Sequence, residues 1–513
     1  MASGFKIRKN QYFDSVFLMG VNKRLSEGEG VHQSAVLMGT DNNKELLAEI
    51  GIEDSQIDNA KPNDLIVAVV AETSDIVNDI LEKLDSFLEG PLRIDSEIRL
   101  RTFEDGLITK PDANLAVISV PGQYAAREAR KALETGLNVF IFSGNVPLQK
   151  ELELKQLGSE KGLLVMGPDC GTSLIGGVGI GFANKVRKGN IGVVGASGTG
   201  LQEFTCLVHN NGLGISHAIG TGSHDLKDEI GGLTTITALN ALEADPNTQV
   251  IAIVSKPPGK KTLEKIRHIA NNIKKPVIGC FLGVNDSLKD ENGNLHFTHT
   301  INEAVTRALS KSGMQINTQG LELTDEERDM ARREREKLST KQKYVRGIFA
   351  GGTFCYQSQQ IFQDAGIDVY SNGPINKKRL LADPDQSKEH TFVDMGDDYY
   401  TVGTPHPMID GKYRQHRIIK ESRDPQVAIL LLDFILGYNA SMDPVGDLLE
   451  SIGEAKQIAN QRGDYLCVAA SICGTEEDPQ NLKLQAKMLA DADVNVFFSN
   501  AAATLFCTEL LKK

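Results

Sequence analysis

The stretch Gly189-Asn-Ile-Gly-Val-Val-Gly-Ala-Ser-Gly-Thr-Gly-Leu-Gln-Glu203 holds the residues best suited to chemistry in this chain. Residues 191–194 read as a short buried strand, 195–200 as a loop without bulk, and 201 onward as a helix. A helix that begins there aims its unpaired backbone N–H groups and the positive end of its dipole at the loop. Ser197 and Thr199 add hydroxyl donors, while Gly198 and Gly200 let an anion approach the backbone, so all four are candidate phosphate ligands. The Lys-Ser/Thr pair of a P-loop is missing. A tight strand-to-helix turn that binds nothing is the alternative reading of the same residues.

A second loop of this kind, Gly351-Gly-Thr353, is followed by Tyr356-Gln-Ser-Gln-Gln360 and echoes the first. Downstream of each, an Asp-Pro turn (Asp245 with Pro246, Asp424 with Pro425) precedes a buried strand. The shared order implies a duplicated unit with two helix ends facing one site, and adds Gly351, Gly352 and Thr353 to the phosphate-binding candidates. Lys256 is placed to neutralise an anion, although an exposed lysine is the commoner case. His406 lies between Pro405 and Pro407, and a residue before proline is held extended. It is the candidate for proton transfer or carbonyl polarisation, because imidazole changes protonation near neutral pH; a structural loop histidine is the alternative. Asp397 and Asp398 could orient it, bind a metal or only form the turn. Two adjacent aspartates without further ligands do not make a cation site, so no metal is expected. Asp169, Cys170, Gly171 and Thr172 follow a strand and are candidate substrate ligands; a free cysteine there is more often a packing residue than a nucleophile.

These residues need elements to hold them. Residues 1–110 alternate strand-like segments (34–38, 65–70) with a helix-like one (75–88), giving a small α/β domain without a chemical motif. From 111 to 188 the rhythm is regular: strands at 115–120, 138–142 and 163–166 alternate with helices at 125–135 and 148–161. That alternation implies a parallel, doubly wound sheet with ligands at strand C-terminal ends. Further α/β units follow at 189–315 and 345–513, joined by a charged linker, 316–344. Its residues 324–337 mix both charge signs and contain no Gly or Pro, which reads as a surface helix. The fold class is α/β.

A net charge of −13 over 513 residues argues against nucleic acid as a partner and does not fit a basic membrane patch. It leaves room for a small anionic substrate held by local helix ends. No apolar run reaches the length that spans a bilayer, and the start lacks the apolar core of a signal peptide. Seven cysteines, an odd number without metal-type spacing, suggest a reducing compartment and a cytoplasmic location.

Together the motifs resemble the succinyl-CoA synthetase superfamily. Gly167-Pro-Asp-Cys170 is similar to its Gly-Pro-Asn-Cys, and residues 189–203 to the strand and helix whose N-terminus holds the active-site phosphate. Residues 345–513 are similar to the ligase domain of its β subunit, with Phe392-Val-Asp-Met-Gly396 where that subunit carries an Asp-Val-Gly-Gly turn. The resemblance implies a Rossmann-like CoA-binding-type domain at 111–188 and flavodoxin-like ligase-type domains at 189–315 and 345–513. More specifically, the chain resembles the FdrA family. The signature is Gly167-Pro-Asp-Cys-Gly-Thr-Ser173, Gly195-Ala-Ser-Gly-Thr-Gly200, Ser255-Lys-Pro-Pro258, Gly396-Asp-Asp-Tyr-Tyr-Thr-Val-Gly-Thr-Pro-His-Pro-Met408 and Cys473-Gly-Thr-Glu-Glu-Asp-Pro-Gln480.

Departures from the synthetase shape what the resemblance implies. The Gly-His-Ala-Gly of the phosphohistidine relay is missing; His296 and His299 lie nearby as loop residues, and residues 255–258 carry no carboxylate. The ATP-grasp domain and the Gly-rich turn that seats CoA are also missing, which leaves CoA binding open. What remains is a site for an acyl phosphate, and carbamoyl phosphate is one. The FdrA family is associated with anaerobic allantoin breakdown, as a component of an oxamate carbamoyltransferase. The resemblance thus implies phosphorolysis of oxalurate to oxamate and carbamoyl phosphate, with no covalently bound cofactor and no covalent enzyme intermediate. It also implies other subunits and an oligomer. The alternatives are an acyl-CoA synthetase working with a separate ATP-grasp partner, and a non-catalytic phosphate-binding scaffold.

Overall fold

The computed structural model describes residues 2–11, 13, 15–26, 28, 30–40, 43–44, 47–48, 52, 54–88, 102–284, 293–313, 320–402 and 404–512. Residues 285–292, part of the region matched to the relay histidine, and 316–319 of the expected linker lie outside them. The chain divides into two compact units, Met1–Pro111 with Asp398–Pro405, and Asp112–Asp397 with His406–Lys513. None of the described helices is long and apolar enough to cross a membrane.

In the smaller unit, strand Leu65–Ala71 lies between Ala2–Arg8 and Val31–Met38, antiparallel to both. Its sequence, LIVAVVA, is apolar throughout because both of its faces are covered. Val67 and Val69 pack with Leu18, Val21 and Val77 on one side; Ile66 and Ala68 pack with Leu47 and Ile57 on the other. The helix expected over 75–88 forms in two pieces, Ser74–Glu82 and Leu84–Leu88.

Among its described residues the larger unit holds three sheets. Leu115–Ile118, Asn138–Ile141 and Val165–Met166 form a parallel three-stranded sheet. The second sheet runs Leu295–Thr298, Val277–Phe281, Val250–Ser255, Lys188–Gly195, Ile215–Gly220, and is parallel to that point. The hairpin Thr172–Ile175/Val178–Gly181 then adds antiparallel to Ile215–Gly220, so this sheet reaches back across the division expected at 188/189. The third sheet runs Asn495–Phe497, Cys467–Cys473, Val427–Ile435, Tyr344–Phe349, Thr391–Asp394, Tyr370–Ser371. Counted along the chain, both large sheets place their strands fifth, fourth, third, first, second, with two short strands sharing the last place in the third sheet. The topology therefore repeats, as the order of motifs implied.

Between the halves lie two helices, Gly198–Asn210 and Gly352–Asp364, buried along most of their length. Each reaches across to cap a helix with its sixth residue. Glu203 accepts from the backbone N–H of Asn500 at 2.6 Å, the first residue of Asn500–Leu511. Gln357 accepts from the N–H of Ile301 at 2.9 Å, the first residue of Ile301–Lys311. Gln357 Nε2 also donates to Asn500 Oδ1 at 2.9 Å and to Glu203 Oε2 at 3.4 Å, joining the two caps. First-turn N–H groups have no partner within their own helix, so these side chains supply what burial demands.

The charged stretch forms helix Asp325–Glu336 with a Thr324/Glu327 capping box. It is more than a solvated surface helix, since Ala331 and Glu334 are buried. Arg335 donates to the carbonyls of Leu510 at 2.9 Å and Glu509 at 2.6 Å, covering the end of the last long helix, where a cation suits the dipole.

Two outcomes follow from the cross-caps. Gln357→Ala leaves the Ile301 N–H buried without a partner and Asn500 Oδ1 with only the longer bond from Ser358 Oγ at 3.4 Å, and is expected to cost about 2–3 kcal/mol in denaturant melts. Burial pushes the Glu203 carboxyl up from 4.5 to about 7, so the fold favours its neutral form. Wild-type stability should then fall relative to Glu203→Gln as pH rises from about 4.5 through about 7, by up to about 3 kcal/mol. Paired thermal melts across that window read the difference.

Candidate functional site

The N-termini of the two central helices meet. Ser197 caps the first, its Oγ accepting from Gly200 N at 3.1 Å, and the same Oγ is hydrogen-bonded to Thr353 Oγ1 on the second. A Cβ at Gly351 would lie 3.2 Å from Thr199 Cγ2, and one at Gly200 would lie 3.3 Å from Thr353 Cγ2. The structure thus brings Ser197, Gly198, Thr199, Gly200, Gly351, Gly352 and Thr353 to one place, and their small size is what permits it.

Thr172, from the hairpin strand, faces the first helix end: its Oγ1 would lie 3.1 Å from a Cβ at Gly198. This hydroxyl belongs to a residue 5% exposed and has no hydrogen-bond partner among the described residues. A buried hydroxyl left so is costly unless a ligand completes it. Gly171 lies beside the same point, with its Cα 3.8 Å away. Cys170 is 3% exposed, and its sulfur would be 2.4 Å from a Cβ at Gly220. Burial pushes its thiol up to about 11, which rules out a ready thiolate. Asp169 is exposed, its backbone N–H bonded to Ser143 O at 3.0 Å.

The second helix end is built differently. Asp433, wholly buried, accepts from the N–H groups of Ala350 at 2.8 Å and Gly351 at 2.7 Å. Arg414 donates to the same carboxylate at 2.9 Å. The Gly351 amide expected to hold phosphate is therefore engaged by the protein's own anion. Across the duplication, Val254 pairs with Gly195, while Leu432, just before Asp433, pairs with Ile348. Asp433 thus holds the place that Val254 holds in the first half.

Asp394 ends strand Thr391–Asp394. Its Oδ1 accepts from Gly396 N at 3.0 Å, and its Oδ2 receives no hydrogen bond among the described residues. A Cβ at Gly352 would lie 2.3 Å from that Oδ2, so only glycine can open the second helix beneath it. Burial pushes the Asp394 carboxyl up to about 6, against the pull of Lys256. Lys256 is exposed at the end of strand Val250–Ser255, its ammonium 5.8 Å from the Tyr356 ring centre.

His406 accepts through Nδ1 from Met408 N at 3.2 Å, which places its proton on Nε2. A Cβ at Gly396 would lie 2.7 Å from that Nε2, 2.9 Å from Ala350 O and 3.3 Å from Asp394 Oδ1, so these atoms converge on one space. Burial, helped by Arg414, lowers the imidazole to about 4. It stays neutral near pH 7 and is not the proton switch that its ordinary value suggested. Asp397 and Asp398 are exposed; Asp398 opens the short helix Asp398–Thr401, within the smaller unit. His296 lies on strand Leu295–Thr298 rather than in a loop.

The sequence reading did not single out Asp394, Asp433, Arg414, Glu203 or Gln357. The signal for Asp433 was present: it is the one charge in VAILLLDFI, and a charge in a buried strand has to be paired. Asp394 is likewise the one polar end of Phe392-Val-Asp394.

Residues 348–509 match the family model of a CoA-ligase, 186–281 that of a CoA binding domain, and 1–97 that of an "AllF, heavy metal-associated domain". The CoA binding match falls on the stretch assigned above to the first ligase-type domain, not on 111–188. Residues 1–97 contain no cysteine and a single histidine, His32, which does not fit a soft-metal site. Among the described residues no group of three or more His, Cys, Asp and Glu could hold a metal. In the sheet of 115–166, the turn after Leu115–Ile118 is closely packed. A Cβ at Gly122 would lie 2.2 Å from Gly144 O, and Ser143 Oγ donates to Val120 O at 2.5 Å.

The chain is 42% identical to the Escherichia coli (strain K12) protein YahF over 508 residues, 99% of this chain and 98% of that one. It is 28% identical to the succinate–CoA ligase subunit alpha 2 of Archaeoglobus fulgidus over 181 residues, 34% of this chain and 61% of that subunit. Among solved structures it is similar to the dinucleotide forming acetyl-coenzyme A synthetase 1 of Ca. Korarchaeum cryptofilum. That match covers 77% of this chain and 82% of the other at 17% identity, with a TM-score of 0.32. By its near full-length match the chain belongs to the family of YahF, built on the CoA-binding and CoA-ligase domains of the succinyl-CoA ligase superfamily.

Proposed function

We propose that this chain is the carbamoyl- and phosphate-handling subunit of a carbamoyltransferase that converts oxalurate and phosphate into oxamate and carbamoyl phosphate. The observation that carries the reading is the unlike pair of helix ends. The first, with Ser197, Thr199 and the unpartnered Thr172 hydroxyl, suits an anion. The second is already supplied with carboxylates, Asp433 and Asp394, and an acyl group carrying its own carboxylate would be repelled there. A carbamoyl group instead brings N–H donors, which the Asp394 Oδ2 is free to accept. The resemblance to the FdrA family, which is associated with allantoin breakdown, supports the same assignment, and residues 1–97 match an AllF-type domain.

In this reading phosphate lies against Ser197–Gly200 and Thr172, and one of its oxygens attacks the carbamoyl carbon. His406, neutral with its proton on Nε2, donates to the carbonyl oxygen as negative charge develops there. Lys256 balances charge from the rim. Orientation and fixed dipoles supply the acceleration, and the protein forms no covalent bond to substrate. The chain works within a complex whose other subunits complete the site, and the whole forms an oligomer.

Calorimetric titration of the purified complex with carbamoyl phosphate tests this. One molecule should bind per chain, since Asp433 fills the second helix end, and Thr172→Val or Ser197→Ala should each weaken it about 10-fold. Tight CoA binding instead would restore an acyl-CoA ligase working with a separate ATP-grasp partner. For catalysis, His406→Ala should lower kcat about 100- to 1,000-fold with the KM for phosphate unchanged. Full activity in that variant would leave the chain a scaffold.

A further inference from the structure

The reaction moves a proton as well as a carbamoyl group. Hydrogen phosphate loses its O–H proton as the new C–O bond forms, and the oxamate nitrogen must gain one as its C–N bond breaks. We propose that the Asp394 carboxylate carries this proton, accepting it from the attacking phosphate and delivering it to the departing nitrogen, a role that rests on the carbamoyl-transfer reading. Asp394 ends each turnover as the carboxylate it began, so atoms and charge balance without a further reactant.

The other groups near the helix ends are committed elsewhere. Both Asp433 oxygens accept backbone amides, and Arg414 takes what remains. Glu203 lies deeper along the first helix, capping Asn500. His406 keeps its Nε2 proton as a donor, and burial pushes the thiols of Cys170 and Cys355 far above neutral. Asp394 alone among them offers an oxygen without a donor, over Gly352 and one residue from Thr353, whose hydroxyl touches Ser197 of the phosphate end. The charges that face it are Lys256, which lowers its pKa, and Asp397 and Asp433, which raise it; with burial they leave it near 6. A group titrating there both takes and returns a proton readily near neutral pH.

The test uses the complex and phosphate-dependent release of oxamate from oxalurate. The wild-type rate should fall on an acid limb near pH 6, as Asp394 becomes protonated and can no longer accept. Asp394→Asn keeps the shape and the bond from Gly396. It should lower the rate about 100- to 10,000-fold and abolish the acid limb, with phosphate affinity within twofold of wild type. In Asp394→Ala, added formate should restore part of the rate, a rescue that a merely structural role would not give. An Asp394→Asn rate within threefold of wild type with its acid limb intact, a parallel loss of phosphate binding, or no rescue by formate overturns the assignment. Failure of the wild-type complex to release oxamate at all would instead overturn the carbamoyl-transfer reading on which it stands.

Discussion

Two helices that meet N-terminus to N-terminus present like ends of their dipoles to each other, and that repulsion is the constraint around which the larger unit is built. Each end carries roughly half a positive charge on unpaired N–H groups. Bringing them together needs negative charge between or beside them, and it needs anchors that hold the helices in place. The anchors are Glu203 and Gln357, each capping a helix of the opposite half and each bonded toward Asn500. The charge is Asp433 for the second helix; at the first, Val254 stands in the matching place, and the proposed function puts a phosphate there.

Arg414 shows how much structure one buried carboxylate requires. Its guanidinium donates to Asp433 Oδ1, to the Asp433 carbonyl at 2.7 Å and to the Ile348 carbonyl at 3.0 Å, tying adjacent strands together beneath the helix end. A second buried carboxylate, Asp478, repeats the strategy where the halves join. It accepts from Asn184 Nδ2 at 2.8 Å, Lys185 N at 2.7 Å and Thr475 N at 2.8 Å. That contact fastens the segment after the hairpin to the third sheet, which keeps Thr172 over Gly198. Removing a partner from such a network leaves a buried charge uncompensated, so its loss is felt across the site.

The strand–loop–helix of 189–203 was legible because its signals are local: a β-branched run, small residues without bulk, then a helix. The duplication was legible from the order of motifs alone, since topology preserves order when identity has faded. The hairpin of 172–181 could have been read too, because Gly176-Gly177 between two short apolar runs is a two-residue turn signal. Missing it placed a domain division inside a sheet. Other features were not local. Nothing near Gly351 announces that its amide is taken by a residue 82 positions away. His406 was read with the pKa of a free imidazole, whereas its value is set by burial and by Arg414. The linker helix looked solvated from its charges, and only its contact with the last helix shows Arg335 closing that helix's C-terminus.

The single exchange of Val254 for Asp433 between the halves does more than fill a dipole. A duplicated fold starts with two equivalent helix ends, which by themselves would favour two like anions at one site, a poor arrangement for joining unlike groups. Asp433 withdraws one end from that competition, and Asp394 adds an acceptor beside it. One end then seeks negative charge, and the other seeks hydrogen-bond donors. Under the proposed function, such polarity would align a phosphate and an N–H-bearing carbonyl group in one direction only. The physical origin of specificity in that proposal is therefore a broken symmetry: the shared fold supplies the two ends, and buried carboxylates on one side make them unlike.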